Sequence, residues 1–194
     1  MAQPLLIDDF NNGINPHWKA KEFAGITRYK PIIEDGVPCL KAFADGTASG
    51  MFYEINYNPE QQQILTWKWK IDNIVENGNV HTKAGDDYAA RIYVVFPSVF
   101  FWKTRALNYI WANQLPKGKA IPSSYTSNSM MVSVESGPVN TGKWLEYRRN
   151  IYEDYKKYFG ASPPKVGAIA IMTDTDTTGK KVSACYGAIR IDSK

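Results

Sequence analysis

A chain of 194 residues, 22% charged and 44% hydrophobic with a net charge of +4, has the composition of a globular protein with one well-buried core. Its basic residues are scattered, with nothing longer than Arg148-Arg149 or Lys180-Lys181 in a row, which argues against a nucleic-acid partner. No apolar run approaches the roughly twenty residues of a membrane span, and no charged-then-apolar leader opens the chain.

Residues 5–10 form an apolar run closed by Asp8-Asp9 and the turn formers Asn11-Asn12-Gly13, as expected of an opening strand. His17-Trp18 follows in a loop or short strand. Residues 26–33 read as a strand, and Glu34-Asp35-Gly36 turns into a strand at 37–44, with Pro38 placing it at an edge or a strand start. A polar turn at 45–50 leads to a strand at 51–57, which stops at Asn58-Pro59. Residues 64–71 alternate cleanly, Leu65, Trp67, Trp69 and Ile71 on one face and Thr66, Lys68 and Lys70 on the other, the pattern of a half-buried antiparallel strand.

A loop rich in Asn and Gly then delivers the chain to KAGDDYAARIYVVF at 83–96. At period two, Tyr88, Ala90, Ile92, Val94 and Phe96 share one face and Asp87, Ala89, Arg91, Tyr93 and Val95 the other. The first is a core face; the second carries a carboxylate, a guanidinium and a phenol. Phe100, Phe101 and Trp102 lie in the connection to a strand at 106–113, which reads ALNYIWAN. A Pro- and Lys-containing loop at 115–126, a strand at 130–135 and a turn at 136–142 come next. A strand at 144–149 runs into the one convincing helix, capped by Asn150 with Glu153 three residues on and ended by Gly160. Strands at 166–176 and 182–191 close the chain. About eleven or twelve short strands separated by polar turns predict a two-layer antiparallel β-sandwich, all-β apart from one short helix, as a single domain over residues 1–194.

In AIMTDTDTTG, at 170–179, Asp174 and Asp176 fall on one face with Ala170 and Met172. If this strand neighbours the Asp87 strand, then Asp87, Arg91, Tyr93, Asp174 and Asp176 form one polar patch, to which Asn108, Trp111 or Asn113 contribute. Three chemistries suit it. Arg91 can form a structural ion pair with one of the acids. Carboxylates and Arg can grip sugar hydroxyls while Tyr or Trp faces cover apolar sugar patches. Paired carboxylates can act as acid and base in glycoside hydrolysis, with Asp174 and Asp176 about 7 Å apart as same-face neighbours, a spacing between the two mechanistic classes. His17 and His81 are the only histidines and both fall in loops, so no Ser-His-Asp arrangement can be built. A calcium site could draw on Asp8, Asp9 or Asp192, or on residues 173–178; turn capping by Asp and Thr is the simpler reading of those residues. Cys39 and Cys185 stand far apart, and two buried free thiols are expected in preference to a disulfide.

Four segments in order, GDDYAARIYVVF, ALNYIWAN, EYRRNIYEDYKKYFG and AIMTDTDTTG, resemble the domain of unknown function 3047 family over most of the chain. That resemblance implies a bacterial protein, often exported, with no activity generally attached to the family. The layout, from an opening DDF to a closing YGAIRID, is also similar to the jelly-roll sandwiches of carbohydrate-binding modules. Those modules often place an Asp in the closing strand beside a structural calcium, where this chain has Gly187-Ala188-Ile189. The expectation is therefore a noncatalytic module, periplasmic or secreted. Its ligand is a glycan or another small polar, polyhydroxylated molecule, held by Asp87, Arg91, Tyr93, Asn108, Trp111, Asp174 and Asp176. The alternatives are a polysaccharide-active enzyme using Asp174 or Asp176, and a structural subunit of a bacterial envelope assembly whose protein partner meets Phe100, Phe101 and Trp102.

Overall fold

Alternating apolar residues need a second layer to cover them, and in the computed structural model, which describes residues 3–193, thirteen strands supply two such layers. One sheet holds β1 (Leu5–Asp8), β3 (Arg28–Glu34), β4 (Val37–Asp45), β6 (Ile64–Ile71), β11 (Leu145–Asn150) and β13 (Lys181–Asp192), in the order β11-β6-β13-β4-β3 with β1 also paired to β13. The other holds β2 (Trp18–Ala24), β5 (Ala48–Tyr57), β7 (Tyr88–Phe96), β8 (Arg105–Ala112), β9 (Ala120–Pro122), β10 (Ser129–Ser136) and β12 (Val166–Asp174), in the order β2-β5-β12-β7-β8-β10-β9. The antiparallel expectation holds for every pairing but one. β8 and β10 run parallel, because the chain between them crosses back along residues 113–128 instead of making a hairpin.

The core lies where the inner faces meet. Leu65, Trp67, Trp69 and Ile71 of β6 are fully buried, as their alternation predicts, and face Ile92, Val94, Leu107, Tyr109, Ile169 and Ile171 from the other sheet. The helix α1 (Ile151–Phe159) begins where expected. The Asn150 side chain accepts from Glu153 N at 3.0 Å, and Gly160 ends the helix at φ 68°, a left-handed conformation that glycine adopts without a Cβ penalty. Asp154 of α1 clasps both sheets, accepting from Tyr109 Oη of β8 at 2.7 Å and from Arg149 Nε of β11 at 2.9 Å.

Asp8 is committed to its own loop. Its carboxylate accepts from Phe10 N, Asn15 N and Trp18 Nε1 at 2.9–3.0 Å, and β13 offers only Gly187-Ala188-Ile189 nearby in sequence terms. Cys39 and Cys185 are both free and buried. Phe100, Phe101 and Trp102 stand out from the sheet on a short helical turn, Phe101 80% exposed, and pack mainly on one another.

On the outer face of the six-stranded sheet, Glu34 accepts from Lys70 at 2.7 Å, Lys41 at 3.0 Å and the Cys185 thiol at 3.2 Å. Burial pushes its carboxyl up, but these donors outweigh it and hold Glu34 down to about 2. A carboxylate depressed in the folded state stabilises it above the unfolded value of about 4.3, and that contribution is lost as pH falls through about 2. Glu34→Gln is expected to cost about 1–2 kcal/mol at pH 7, after solvent screening, and much less at pH 2. Urea unfolding at the two pH values measures the difference; a cost independent of pH would refute the assignment.

Candidate functional site

β12 and β7 are neighbours, so the two acid-bearing strands meet as the polar patch requires: Met172 stands opposite Arg91 and Ala170 opposite Tyr93. β8 follows on the far side of β7, with Asn108 opposite Tyr93. Arg91, Tyr93, Asn108, Met172 and Asp174 consequently share the outer face of the seven-stranded sheet and line a cavity of about 380 Å³. The loop at 113–128 forms one wall through Ser123, Tyr125 and Thr126, and Phe23 of β2 stands at the other margin.

Two irregularities in register shape the floor. Between Met172 and Asp174 the β12–β7 ladder slips, and Ala89 and Ala90 both turn inward to the core. The slip reverses the parity of the strand start. Tyr88, expected on the core face, emerges on the outer face against Ile110, Ala112 and Met131, with the Arg91 guanidinium 5.0 Å from its ring centre. Two hydroxyls stitch the slipped backbone: from the opposite layer, Tyr186 Oη donates to Met172 O at 2.6 Å and accepts from Arg91 N at 3.3 Å, and within the sheet Thr173 Oγ1 donates to Ala89 O at 2.8 Å. Gly85 lets the approach to β7 fold tightly, since a Cβ there would stand 2.5 Å from Asn79 N.

Three sequence expectations need correction. Trp111 is a core residue, 1% exposed, with Nε1 donating to Gly137 O at 3.0 Å; it points inward with Leu107 and Tyr109 and does not reach the cavity. Asp87 precedes the strand and does not line the cavity. Its carboxylate accepts from Thr177 N at 3.4 Å and Thr178 N at 2.6 Å, fixing the turn that carries Asp176. Asn113 braces the loop before β7, accepting from Val75 N at 2.9 Å and donating to Asp87 O at 2.8 Å. Sequence reasoning missed Asp86, Phe23, Met131 and Tyr125 as lining residues. The Asp86-Asp87 doublet was the available signal for the first; nothing local marks the others.

Arg91, 4% exposed, is ion-paired through Nη2 to Asp174 Oδ2, with Asp86 Oδ2 3.6 Å from Nη1. Burial opposes the Arg91 charge, but Asp174 and the surrounding oxygens raise its pKa well above the ordinary value. Burial pushes the Asp174 carboxyl up against the pull of Arg91, with Asp87, Asp86 and Asp176 adding repulsion. Asp86 is raised by burial against Arg91, and Asp176 by burial and by Asp87. Five buried atoms here have no hydrogen-bond partner among the described residues: Asp86 Oδ1, Tyr88 Oη, Arg91 Nε, Asn108 Oδ1 and Asp174 Oδ1. Such atoms are costly in a protein interior and rarely left so without reason.

The sequence model for "Protein of unknown function (DUF3047)" matches residues 16–190. No curated protein matches the chain by sequence. Among solved structures the chain is similar to the cellulose induced protein Cip1, at 10% identity and TM-score 0.53 over 96% of both chains. It also aligns with the carbohydrate recognition domain of Emp47p, at 8% identity and TM-score 0.49 over 97% of this chain and 95% of that one. A third is the K1 cleaved adhesin domain of Lys-gingipain from Porphyromonas gingivalis W83, at 15% identity and TM-score 0.48 over 100% and 99%. At such identities the likeness to Cip1 shows the fold alone, a jelly-roll β-sandwich. No helix among the described residues is long and apolar enough to cross a membrane.

Proposed function

The chain belongs to the DUF3047 family, and from the chemistry of its outer-sheet cavity we propose that it is a noncatalytic binding module for a glycan or related polyhydroxylated ligand, acting in the periplasm or outside the cell. The observation that carries this reading is the set of unpartnered buried polar atoms around the cavity. An ion pair between Arg91 and Asp174 accounts for Nη2 and Oδ2, and leaves Arg91 Nε, Asp174 Oδ1, Asp86 Oδ1 and Asn108 Oδ1 unanswered. Carboxylate and amide oxygens accept from hydroxyls, the guanidinium Nε donates to them, and the rings of Tyr93 and Tyr125 offer flat apolar faces. A sugar presents both kinds of surface.

The binding role is favoured over hydrolysis because Asp174 Oδ2 is already engaged by Arg91, which removes the freedom a proton-transferring acid needs. Screening the protein on a glycan array tests the proposal, with Arg91→Ala, Asp174→Ala and Tyr125→Ala alongside. The wild type is expected to retain a defined set of glycans. Arg91→Ala and Asp174→Ala are expected to lose about tenfold or more in affinity, and Tyr125→Ala, altered at a half-exposed wall position, to weaken binding without changing the unfolding midpoint. No retained glycan, or variants that bind as wild type, would refute the proposal; release of new reducing ends would assign the site to an enzyme.

A further inference from the structure

We propose that Asp87, Asp174 and Asp176 form a calcium site beside the cavity. One carboxylate oxygen from each lies within 4.8 Å of the others, with Asp87 and Asp174 buried and Asp176 exposed. Three oxygens at most 4.8 Å apart lie about 2.8 Å or less from a common centre, so a shift of a few tenths of an ångström brings them to the 2.3–2.6 Å of a calcium shell. Magnesium, at 2.0–2.1 Å, needs the oxygens to close in further, demands a stricter octahedron and gives up its waters reluctantly. An all-carboxylate set also excludes the softer metals that select His and Cys.

Two observations independent of the cluster's shape point to a cation. Asp174, 1% exposed, contributes an oxygen to the cluster, gives Oδ2 to Arg91 and has no donor for Oδ1 among the described residues, so a buried anionic side chain of the cluster is left half-answered. The charges around it also fail to balance: Asp86 and Asp174 share one guanidinium, and Asp87 and Asp176 add two carboxylates beside Asp174. Burying an uncompensated carboxylate is expensive. A divalent cation removes that cost without a proton. The Thr177 and Thr178 backbone N–H groups hold the Asp87 carboxylate in place, so one ligand is oriented in advance. Asp174 and Asp176 line the cavity as well, so the ion's remaining positions are filled from the cavity side by water or by ligand oxygens. This position is on the opposite sheet from the β1–β13 end, where Asp8 is spent on its loop.

The site does not rest on the ligand reading, and its test contains no glycan. Chelator-treated protein is titrated with calcium chloride by calorimetry, and its thermal midpoint is followed by circular dichroism with and without the ion. The expected result is one saturable site per chain with a Kd between about 10⁻⁶ and 10⁻³ M and a rise in midpoint on adding calcium. Asp176→Asn, changed at an exposed position, is expected to keep the metal-free midpoint of the wild type and to lose at least about tenfold in calcium affinity, with Asp174→Asn losing as much. Magnesium chloride is expected to bind at least about tenfold more weakly than calcium. Absence of saturable calcium binding, or an unchanged affinity in Asp176→Asn, would overturn the proposal. A negative glycan array leaves these titrations unaffected, so the two failures are distinguishable.

Discussion

Replacing Arg91 with Met is expected to lower the stability of the fold by about 3–5 kcal/mol. The guanidinium is 4% exposed and is the only Lys or Arg lining the cavity among the described residues. Met keeps much of the side-chain volume, so the loss measures charge and hydrogen bonding more than a cavity. What remains in chelator-treated protein is Asp174, 1% exposed, facing Asp86 and the Asp87–Asp176 pair with no cation between them. The penalty comes from the stranded anions, not from the intrinsic worth of the Arg91–Asp174 pair, and a second substitution separates the two. Adding Asp174→Asn in the Arg91→Met background removes one stranded charge, so the double variant is expected to recover at least half of the loss. Chemical denaturation of the two single variants and the double gives the coupling energy directly. A cost below about 1 kcal/mol for Arg91→Met would mean the acids are neutralised some other way, and the charge imbalance around Asp174 would lose its force.

That experiment bears on how the site was written into the chain. The periodicity of residues 83–96 and 166–176 was enough to put Arg91, Tyr93, Met172 and Asp174 on outer faces, and the joining of β7 to β12 completes the patch. Alternation is a local property, so it is legible without knowing which strand lies next door. A register slip is not local. The irregularity between Met172 and Asp174 exists only in the pairing of two strands far apart in sequence, and it alone sends Tyr88 outward and both Ala89 and Ala90 inward. The parallel pairing of β8 with β10 is hidden for the same reason, and with it the wall that brings Tyr125 over the sheet. Trp111 is a different case. It is three residues from Asn108, and on a regular strand an odd separation places two side chains on opposite faces, so one of the pair was bound to be core.

The other large effect is expected from the core beneath this sheet. Trp67→Ala should cost about 3–5 kcal/mol, because the ring is fully buried and its loss leaves a cavity that packed sheets cannot close. Its ring centre lies 5.3 Å from that of Tyr109 across the sandwich, 5.4 Å from Trp69 and 5.5 Å from Tyr147. The contact with Tyr109 joins β6 to β8, the strand whose outer face carries Asn108, so packing lost below is felt by the cavity above. Trp67→Phe separates ring packing from indole chemistry. The indole Nε1 has no hydrogen-bond partner among the described residues, so Phe deletes a buried donor whose desolvation already costs the native fold and retains most of the aromatic contact. A loss of about 1–2 kcal/mol is therefore expected for Phe, clearly less than for Ala, with near-ultraviolet circular dichroism retained. Equal losses for the two variants would show that the full indole outline, and not an aromatic ring as such, holds the two sheets at the spacing the cavity depends on.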